Sequence, residues 1–224
     1  MGTHLVHSEI LVINPTSSPA IGHKVGAGVD DIGRKNPSAR IIVETMTAGP
    51  AGIKTQQDID DAARLVLDRV RRHPDGIAVV ACFADPGVAA VRGHFPAARI
   101  LGCGEQAIRE ASRGGRRYGI LSLSPGAAVR HRLMARILGV EACYLGSVPL
   151  SDNPMDASWH PGIAPLLQSA ASLKTMGAAA IVIGCAGMGA FRDPLARAIG
   201  LPVIDPLESA VTQALRIGNA TTAM

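Results

Sequence analysis

Two cysteines of this chain follow short apolar runs and precede small, turn-forming residues. Cys82 follows "GIAVVA" and precedes "FADPG", and Cys185 follows "AAIVIG" and precedes "AGMG". A thiol just before a helix start can act as an acid or a base, because backbone N–H groups at that start favour the thiolate. Small residues also let the backbone approach a bound carbonyl or amide oxygen. The pattern predicts a functional site at these two cysteines.

The alternative is that both cysteines are ordinary core residues, since cysteine is among the most buried residue types. An internal repeat argues against this for the pair. The same 23-residue spacing separates Cys82 from Glu105 and Cys185 from Glu208, within copies offset by 103 residues. Each copy runs in the order strand, cysteine, small residues, helix, short strand, turn, glutamate and helix. Because packing alone does not require the same residue twice, the pair is predicted to be functional.

The other residues that could hold a metal or a nucleotide do not form a matching pattern. Cys103 and Cys143 have no repeat partner and are predicted to pack in the core. The four cysteines form no C-x-x-C pair and the seven histidines no H-x-x-x-H pair. The segment "LGCGEQA" at 101–107 loosely matches a dinucleotide fingerprint, but no acidic residue follows at about 20 residues. We therefore expect no metal and no cofactor.

Two thiols on opposite walls of a cleft can racemise a substrate without a metal or a nucleotide. One thiolate removes a proton from the carbon alpha to a carbonyl, and the other group, as thiol, returns a proton to the opposite face. The resulting enolate needs hydrogen-bond donors, which backbone N–H groups and nearby hydroxyls can supply. The candidate hydroxyls belong to Ser17, Ser18, Thr47 and Ser122.

The elements that would position these residues alternate regularly along the chain. Eight apolar runs, bounded by Gly, Pro, Asn or Asp, are predicted to be strands, and one of them is "EACYLG" at 141–146. They alternate with amphipathic segments such as "DIDDAARLVLDRVRR" at 58–72. Continuously apolar strands indicate burial on both faces, hence parallel sheets with helices on either side. "LVINPTSS" and "ILSLSPGA" extend the repeat upstream. We predict an α/β fold of two similar lobes, with ligands at the carboxyl ends of the strands.

Composition restricts the class of protein further. The chain has 224 residues, of which 47% are hydrophobic and 18% charged, as expected of a compact domain rather than a disordered or fibrous protein. The first apolar run lacks a positively charged start, and no run reaches the roughly 18 residues of a membrane span. The net charge of +4 comes mostly from scattered arginines without interleaved aromatics. We predict a cytoplasmic protein whose partner is a small molecule, not nucleic acid or a membrane.

Five motifs together resemble the aspartate/glutamate/hydantoin racemase superfamily, and most closely its hydantoin and allantoin racemase branch. They occur in family order and extend from about residue 9 to 215. The motifs are "VINPTSS" (12–18), "ACFADPGVAAVR" (81–92), "ILGCGEQA" (100–107), "VIGCAGMGAF" (182–191) and "PVIDPLESAV" (202–211).

The resemblance implies a cofactor-independent racemase with two flavodoxin-like (Rossmann-like) parallel-sheet lobes, related by a pseudo-twofold axis, and an active site in the cleft between them. It also implies a homo-oligomer. The predicted lobes are 1–113 with a C-terminal helix at 206–224, and 114–205. Cys82 and Cys185 would be the catalytic acid/bases. Residues implied or expected to contact the substrate are Asn14, Ser17, Ser18, Thr47, Phe83, Ala84, Ser122, Ala186 and Gly187. Of these, Thr47 is expected to end the second strand.

Departures from the family pattern bear on the substrate. The first motif has NPTSS where the family commonly has NPNTS, and Ala84 replaces a glycine. The chain has "CFA" and "CAG" where glutamate racemases carry CNT and C-T-H, which favours a neutral cyclic ureide over a free amino acid. Open alternatives are aspartate or glutamate racemisation, maleate cis-trans isomerisation, and a non-catalytic module that binds a small ligand.

Overall fold

Strands and helices alternate along the chain, as the apolar runs predict. A computed structural model describes residues 9–123, 126–150 and 162–222, and for residues 221 and 222 it describes the backbone alone. The strands are β1 (Glu9–Asn14), β2 (Arg40–Thr45), β3 (Ile77–Val80), β4 (Arg99–Gly102), β5 (Tyr118–Ser122), β6 (Tyr144–Pro149), β7 (Ala180–Ile183) and β8 (Val203–Ile204). The helices are α1 (Pro19–Lys35), α2 (Gln56–Arg71), α3 (Val88–His94), α4 (Cys103–Ala111), α5 (Ala127–Ile137), α6 (Ile163–Thr175), α7 (Arg192–Ile199) and α8 (Pro206–Thr222). Short 3-10 helices lie at Arg113–Gly115, Glu141–Cys143 and Ala186–Phe191.

The strands form two parallel four-stranded sheets with the same strand order. The first has the order β2-β1-β3-β4 and the second β6-β5-β7-β8. Each strand pairs in parallel with its neighbour in the order. This identical order confirms both the internal repeat and the predicted α/β class with two parallel sheets.

The chain divides into two compact units, each containing one of the sheets. The first unit comprises Met1–Cys103 and Ala210–Met224, and the second Gly104–Ser209. The boundaries expected from the sequence lay at 113/114 and 205/206. In the structure, most of α4 and the first turn of α8 belong to the second unit. They are joined there by a hydrogen bond in which the Ser209 hydroxyl donates to the Glu110 carboxylate, 2.6 Å apart.

Each unit has its own hydrophobic core, centred on the strands that carry the cysteines. Every residue of β3 and every residue of β7 is buried. In the first unit β3 packs with valines of α2 and α3, and in the second β7 packs with leucines of α6 and α7. Burial on both faces explains why these strands are continuously apolar rather than alternating.

Local signals explain where the helices begin. The Thr55 and Asp58 side chains form a reciprocal capping box at the start of α2, and Ser18 caps α1 ahead of Pro19. The segment "EACYLG" at 141–146 was predicted to be a strand, but β6 begins only at Tyr144. The preceding residues form a 3-10 turn whose Glu141 pairs with Arg136 at the end of α5. Within the described ranges, no helix is long and apolar enough to cross a membrane.

Replacing Tyr118 by phenylalanine is expected to leave the free energy of unfolding unchanged or to raise it by about 1 kcal/mol. The Tyr118 hydroxyl is buried without a hydrogen-bond partner among the described residues, and burial raises the pKa of this phenol. Phenylalanine keeps the ring contact with Tyr144, whose centroid lies 5.8 Å away. Urea denaturation of the two proteins tests this expectation.

The matched control is Tyr144→Phe. The Tyr144 hydroxyl lies 2.7 Å from the Ser147 hydroxyl, so its removal breaks a hydrogen bond. We expect this variant to lose about 1 kcal/mol. A loss of the same size in Tyr118→Phe would show that its hydroxyl does have a partner.

Candidate functional site

Cys82 lies at the carboxyl edge of the first sheet. Beyond the last residue of β3, the Ala81 N–H donates to the Ile13 carbonyl of β1 at 2.8 Å, which extends the pairing by one residue. Cys82 is the next residue, and its side chain is half-buried against the core of this unit. The thiol therefore lies where the core meets the sheet edge.

Cys185 occupies the same place in the second sheet. The Gly184 N–H donates to the Leu121 carbonyl of β5 at 2.9 Å, and Cys185 follows it, half-buried against its own core. A Cβ at Gly184 would overlap that carbonyl oxygen, so glycine permits the close approach. No disulfide joins any of the four cysteines.

The same type of turn follows each cysteine. The Asp85 N–H donates to the Cys82 carbonyl at 3.0 Å, and the Met188 N–H donates to the Cys185 carbonyl at 3.3 Å. Phe83 lies inside the first turn. In the second unit Ala186 occupies the equivalent position, and both of these side chains are buried. Ala84 and Gly187 are the next residues in each turn.

The predicted helix start is correct after Cys185 and wrong after Cys82. A 3-10 helix begins at Ala186, directly after the second thiol. In the first unit α3 begins only at Val88. The delay has a local cause, since a residue before proline is disfavoured in helical conformation and Gly87 adopts a left-handed φ of 80°. The backbone N–H groups that directly follow Cys82 therefore belong to a turn and not to the first turn of a helix.

Asn14 ends β1 at the same sheet edge, but its side chain is largely engaged within the protein. It is 0% exposed. Its Oδ1 accepts from the Thr16 N–H at 3.3 Å and the Thr16 hydroxyl at 2.9 Å, and its Nδ2 donates to the Thr45 hydroxyl at 3.3 Å. Asn14 thus holds together the loop after β1 and the end of β2. That Asn14 lines the site and contacts the substrate stays a prediction.

Ser122 is the counterpart of Asn14 in the second sheet. The carbonyl of Asn14 accepts from the Met46 N–H at 2.9 Å, and that of Ser122 accepts from the Leu150 N–H at 3.0 Å. Ser122 is fully buried at the carboxyl end of β5. Each unit therefore brings one polar side chain and one cysteine to the ends of its two central strands.

The other predicted hydroxyls are divided between structural and exposed positions. The Ser18 hydroxyl accepts the Ile21 N–H and caps α1, at 3.3 Å. The Ser17 N–H donates to the Pro50 carbonyl at 2.9 Å, and its side chain is half-exposed. Thr47 was predicted to end the second strand, which is wrong.

The structure shows why β2 stops before Thr47. The last bond of the ladder comes from the Met46 N–H, and a turn closed by the Gly49 N–H to the Met46 carbonyl at 2.8 Å then follows. Thr47 is exposed in this turn. Thr45 is the threonine that ends the strand and bonds Asn14.

The two repeat glutamates lie in the first turns of α4 and α8. Glu105 pairs with Arg109 at 3.0 Å, and Glu208 pairs with Arg192 at 3.2 Å. Acidic residues in a first helical turn are favoured by the helix dipole. The equal spacing of the two glutamates from the cysteines is therefore explained by the shared architecture of the two units.

Sequence reasoning missed one buried acid, Asp205, which lies directly after β8. It is 8% exposed, and its Oδ1 accepts from the Leu207 N–H at 3.1 Å. Burial, together with the negative charge of Glu208, raises its pKa to about 7, although backbone N–H bonds and Arg192 oppose the shift. The repeat could have pointed to Asp205, because this residue lies 103 residues after Gly102 and so occupies the repeat position of that glycine.

No three histidine, cysteine or acidic side chains lie close enough to hold a metal ion in the part of the chain that the structure describes. The chemistry available at the two sheet edges is that of thiols, hydroxyls and backbone N–H groups. Such a set can transfer protons and stabilise an oxyanion.

Known proteins that resemble this chain are named as racemases, and racemisation by proton transfer is chemistry of the kind that these groups allow. The sequence model of the Asp/Glu/hydantoin racemase family matches residues 10–214. A hydantoin racemase from Paenarthrobacter aurescens is 31% identical over 216 residues, which cover 90% of this chain and 87% of that protein. The allantoin racemase from Klebsiella pneumoniae has a TM-score of 0.82 at 28% identity, covering 96% of this chain and 89% of that one. The allantoin racemase from Pseudomonas fluorescens has a TM-score of 0.81 at 17% identity, covering 95% and 92%, and shows the fold alone.

Proposed function

The chain belongs to the Asp/Glu/hydantoin racemase family, and on that premise we propose that it is a cofactor-independent racemase of 5-substituted hydantoins or allantoin. The observation that carries the proposal is the pair of matched half-sites, each with a thiol one residue beyond the strand pairing and a turn directly after it. Relatives named hydantoin racemase and allantoin racemase support this choice of substrate class.

In the proposed reaction Cys82 and Cys185 serve opposite faces of the ring. One cysteine, as thiolate, takes the hydrogen of C5 as a proton. The electron pair of the C–H bond moves into the C5–C4 bond, and the C4 carbonyl becomes an enolate oxygen. The other cysteine, as thiol, donates its proton to C5 from the far side. The product is the opposite enantiomer, and the two cysteines have exchanged protonation states.

The enolate is the species that the protein must stabilise. We propose that the N–H groups of the two turns donate to it, with Phe83 and Ala186 as the first donors. Preorganised donors of this kind contribute much of the rate enhancement in enolate chemistry, because they need no reorganisation as charge develops. Ser122 and the loop held by Asn14 form the remainder of the proposed site at the carboxyl edges of the two sheets.

The residues after the thiols favour a neutral ring over a free amino acid. Positions 83–84 are Phe-Ala, and 186–187 are Ala-Gly. Glutamate racemases, which this chain resembles more distantly, carry polar Asn-Thr and Thr-His at these places. With the side-chain hydrogen bonds absent, a substrate with its own fixed amide donors and acceptors fits better than one with a free carboxylate and ammonium group.

A racemisation screen tests the proposal. Polarimetry would follow allantoin, benzylhydantoin, methylthioethylhydantoin, aspartate and glutamate with the purified protein. We expect loss of optical rotation for at least one cyclic ureide and none for either amino acid. Racemisation of aspartate or glutamate alone would contradict the proposed substrate class. Isomerisation of maleate, which is achiral and would be followed by NMR instead, would contradict it as well.

Thiol reactivity separates an enzyme from a module that only binds a ligand. Catalytic thiolates should react with iodoacetamide near neutral pH and should be protected by a hydantoin. Peptide mapping would assign alkylation to Cys82, Cys185, Cys103 and Cys143. Selective, ligand-protected labelling of the first two is expected, whereas silent Cys82 and Cys185 would favour simple binding.

The family resemblance also leads us to propose a homo-oligomer. Sedimentation equilibrium tests this directly, because it gives the mass of the assembly without a shape assumption. A mass of a single 23.1 kDa chain across the concentration range would contradict it.

A further inference from the structure

In both units, a carboxylate lies against a glycine where the turn after the cysteine meets the end of the next strand. In the first unit the acid is Asp85 of the turn, and the glycine is Gly102 at the end of β4. In the second unit the roles are exchanged. Gly189 belongs to the turn, and Asp205 lies at the end of β8. Asp205 lies at the repeat position of Gly102, whereas Gly189 lies one residue beyond the repeat position of Asp85. The two units therefore share the contact rather than the residues that make it.

The fit in the second unit is close. A Cβ added at Gly189 would lie 2.5 Å from Asp205 Oδ2, so only glycine allows the turn to approach the carboxylate. The other oxygen, Oδ1, is held by the Leu207 N–H at 3.1 Å, and the Glu208 N–H also bonds the carboxylate. Asp205 therefore connects the Ala186–Phe191 turn to the start of α8.

Two charged side chains among the described residues act on the Asp205 carboxylate. Glu208 of α8 is the acid, and Arg192 of α7 is the cation. Arg192 is shared with other acids, since its guanidinium also pairs with Glu208 at 3.2 Å and Asp193 at 3.1 Å. The intervening turn, "AGMGAF", contains no titratable residue.

We propose that Asp205 is a positioning residue that fixes the turn after Cys185 and, through its own charge, tunes the reactivity of that thiol. An ionised carboxylate in poorly hydrated surroundings disfavours a second anion nearby. The neutral acid preserves the turn without that penalty. The effect on thiol reactivity does not depend on the proposed racemisation. The catalytic consequence does rest on it, and there protonation of Asp205 would favour proton abstraction by Cys185.

The test variant is Asp205→Asn. Asparagine has the same shape and still accepts the Leu207 N–H, so the cap of α8 is kept and only the ionisation is removed. The rate of alkylation of Cys185 and Cys82 by iodoacetamide would be measured between pH 5.5 and 9, with peptide mapping. No substrate is needed, so the outcome is independent of whether hydantoins are racemised.

In the wild-type protein, alkylation of Cys185 should rise less steeply above about pH 7, where the Asp205 carboxyl ionises. In Asp205→Asn this inflection should vanish, and Cys185 should react about threefold to tenfold faster at pH 8.5, with equal rates near pH 6. The profile of Cys82 should be the same in both proteins. The matched control is Asp193→Asn, an exposed acid on the same arginine, which should change neither thiol.

A second variant covers the case in which Asp205→Asn does not fold. Gly189→Ala keeps the carboxylate but separates it from the turn, and it should alter the alkylation rate of Cys185 and not that of Cys82. An unchanged Cys185 profile in Asp205→Asn, or a change shared equally by both thiols, would overturn the proposal. So would an unchanged Cys185 rate in Gly189→Ala.

Discussion

Replacing either Cys82 or Cys185 by serine is expected to lower the rate of hydantoin racemisation at least about 10³-fold. A serine hydroxyl is far too weak an acid to supply an alkoxide base near neutral pH, so each variant loses the proton transfer on one face. Each thiol is half-buried at a sheet edge, and serine fits the same space. The fold should therefore persist, and circular dichroism and the urea midpoint would verify it.

Cys143→Ser is the matched control for this pair. Cys143 is also half-buried but lies in the 3-10 turn before β6, at the amino end of the strand rather than at the carboxyl edge. Its substitution should leave the polarimetric rate within about twofold of wild type. If either Cys82→Ser or Cys185→Ser racemised at the wild-type rate, that cysteine would not be a catalytic base.

Lowering the pH from about 6.5 to 4 is expected to cost about 3 kcal/mol of unfolding free energy through His131 alone. This histidine is buried on α5 with its Nδ1 2.8 Å from the Ser147 hydroxyl. Burial, with a smaller effect of Arg130, lowers its pKa to about 4. The unfolded chain therefore binds a proton that the folded chain does not. Stability is complete above pH 6.5 and declines as the pH falls towards 4.

Urea denaturation at pH 7, 5.5 and 4, on the wild type and on His131→Gln, would measure this effect. The variant keeps a polar group that can bond Ser147 but does not titrate. Asp205 acts in the opposite direction over the same range, since its raised pKa makes the folded state bind the additional proton as the pH falls. The difference between the two proteins removes that contribution. An identical pH dependence in both would show that His131 does not titrate as its burial implies.

The fold was predictable because its signals are local and repeated. Continuous apolar runs predicted strands buried on both faces, and β3 and β7 are buried at every residue. The repeat predicted two equivalent sheets, and their strand orders are identical. The end of β2 was misplaced because it depends on the Met46 N–H bond to Asn14, a contact between distant parts of the chain that periodicity does not reveal.

The candidate site was predictable only in part, for the same physical reason. The two repeated segments that contain Cys82 and Cys185 are visible in the sequence, because each cysteine directly follows its own apolar strand. The engagement of Asn14 by Thr16 and Thr45 depends on side-chain geometry after folding. The contact between Asp205 and Gly189 was hidden because the acid lies in the turn in the first unit but after the last strand in the second. A search for identical residues in the two halves of the chain does not find a contact that different residues make in each half.

The most direct test of the two-thiol account is solvent deuterium incorporation at C5 of each hydantoin enantiomer, followed by NMR in the two serine variants. We predict that Cys82→Ser and Cys185→Ser each exchange the C5 hydrogen of one enantiomer without inverting it, and that they do so for opposite enantiomers. Exchange of the same enantiomer by both variants, or exchange of both enantiomers by either one, would contradict the assignment of one thiol to each face.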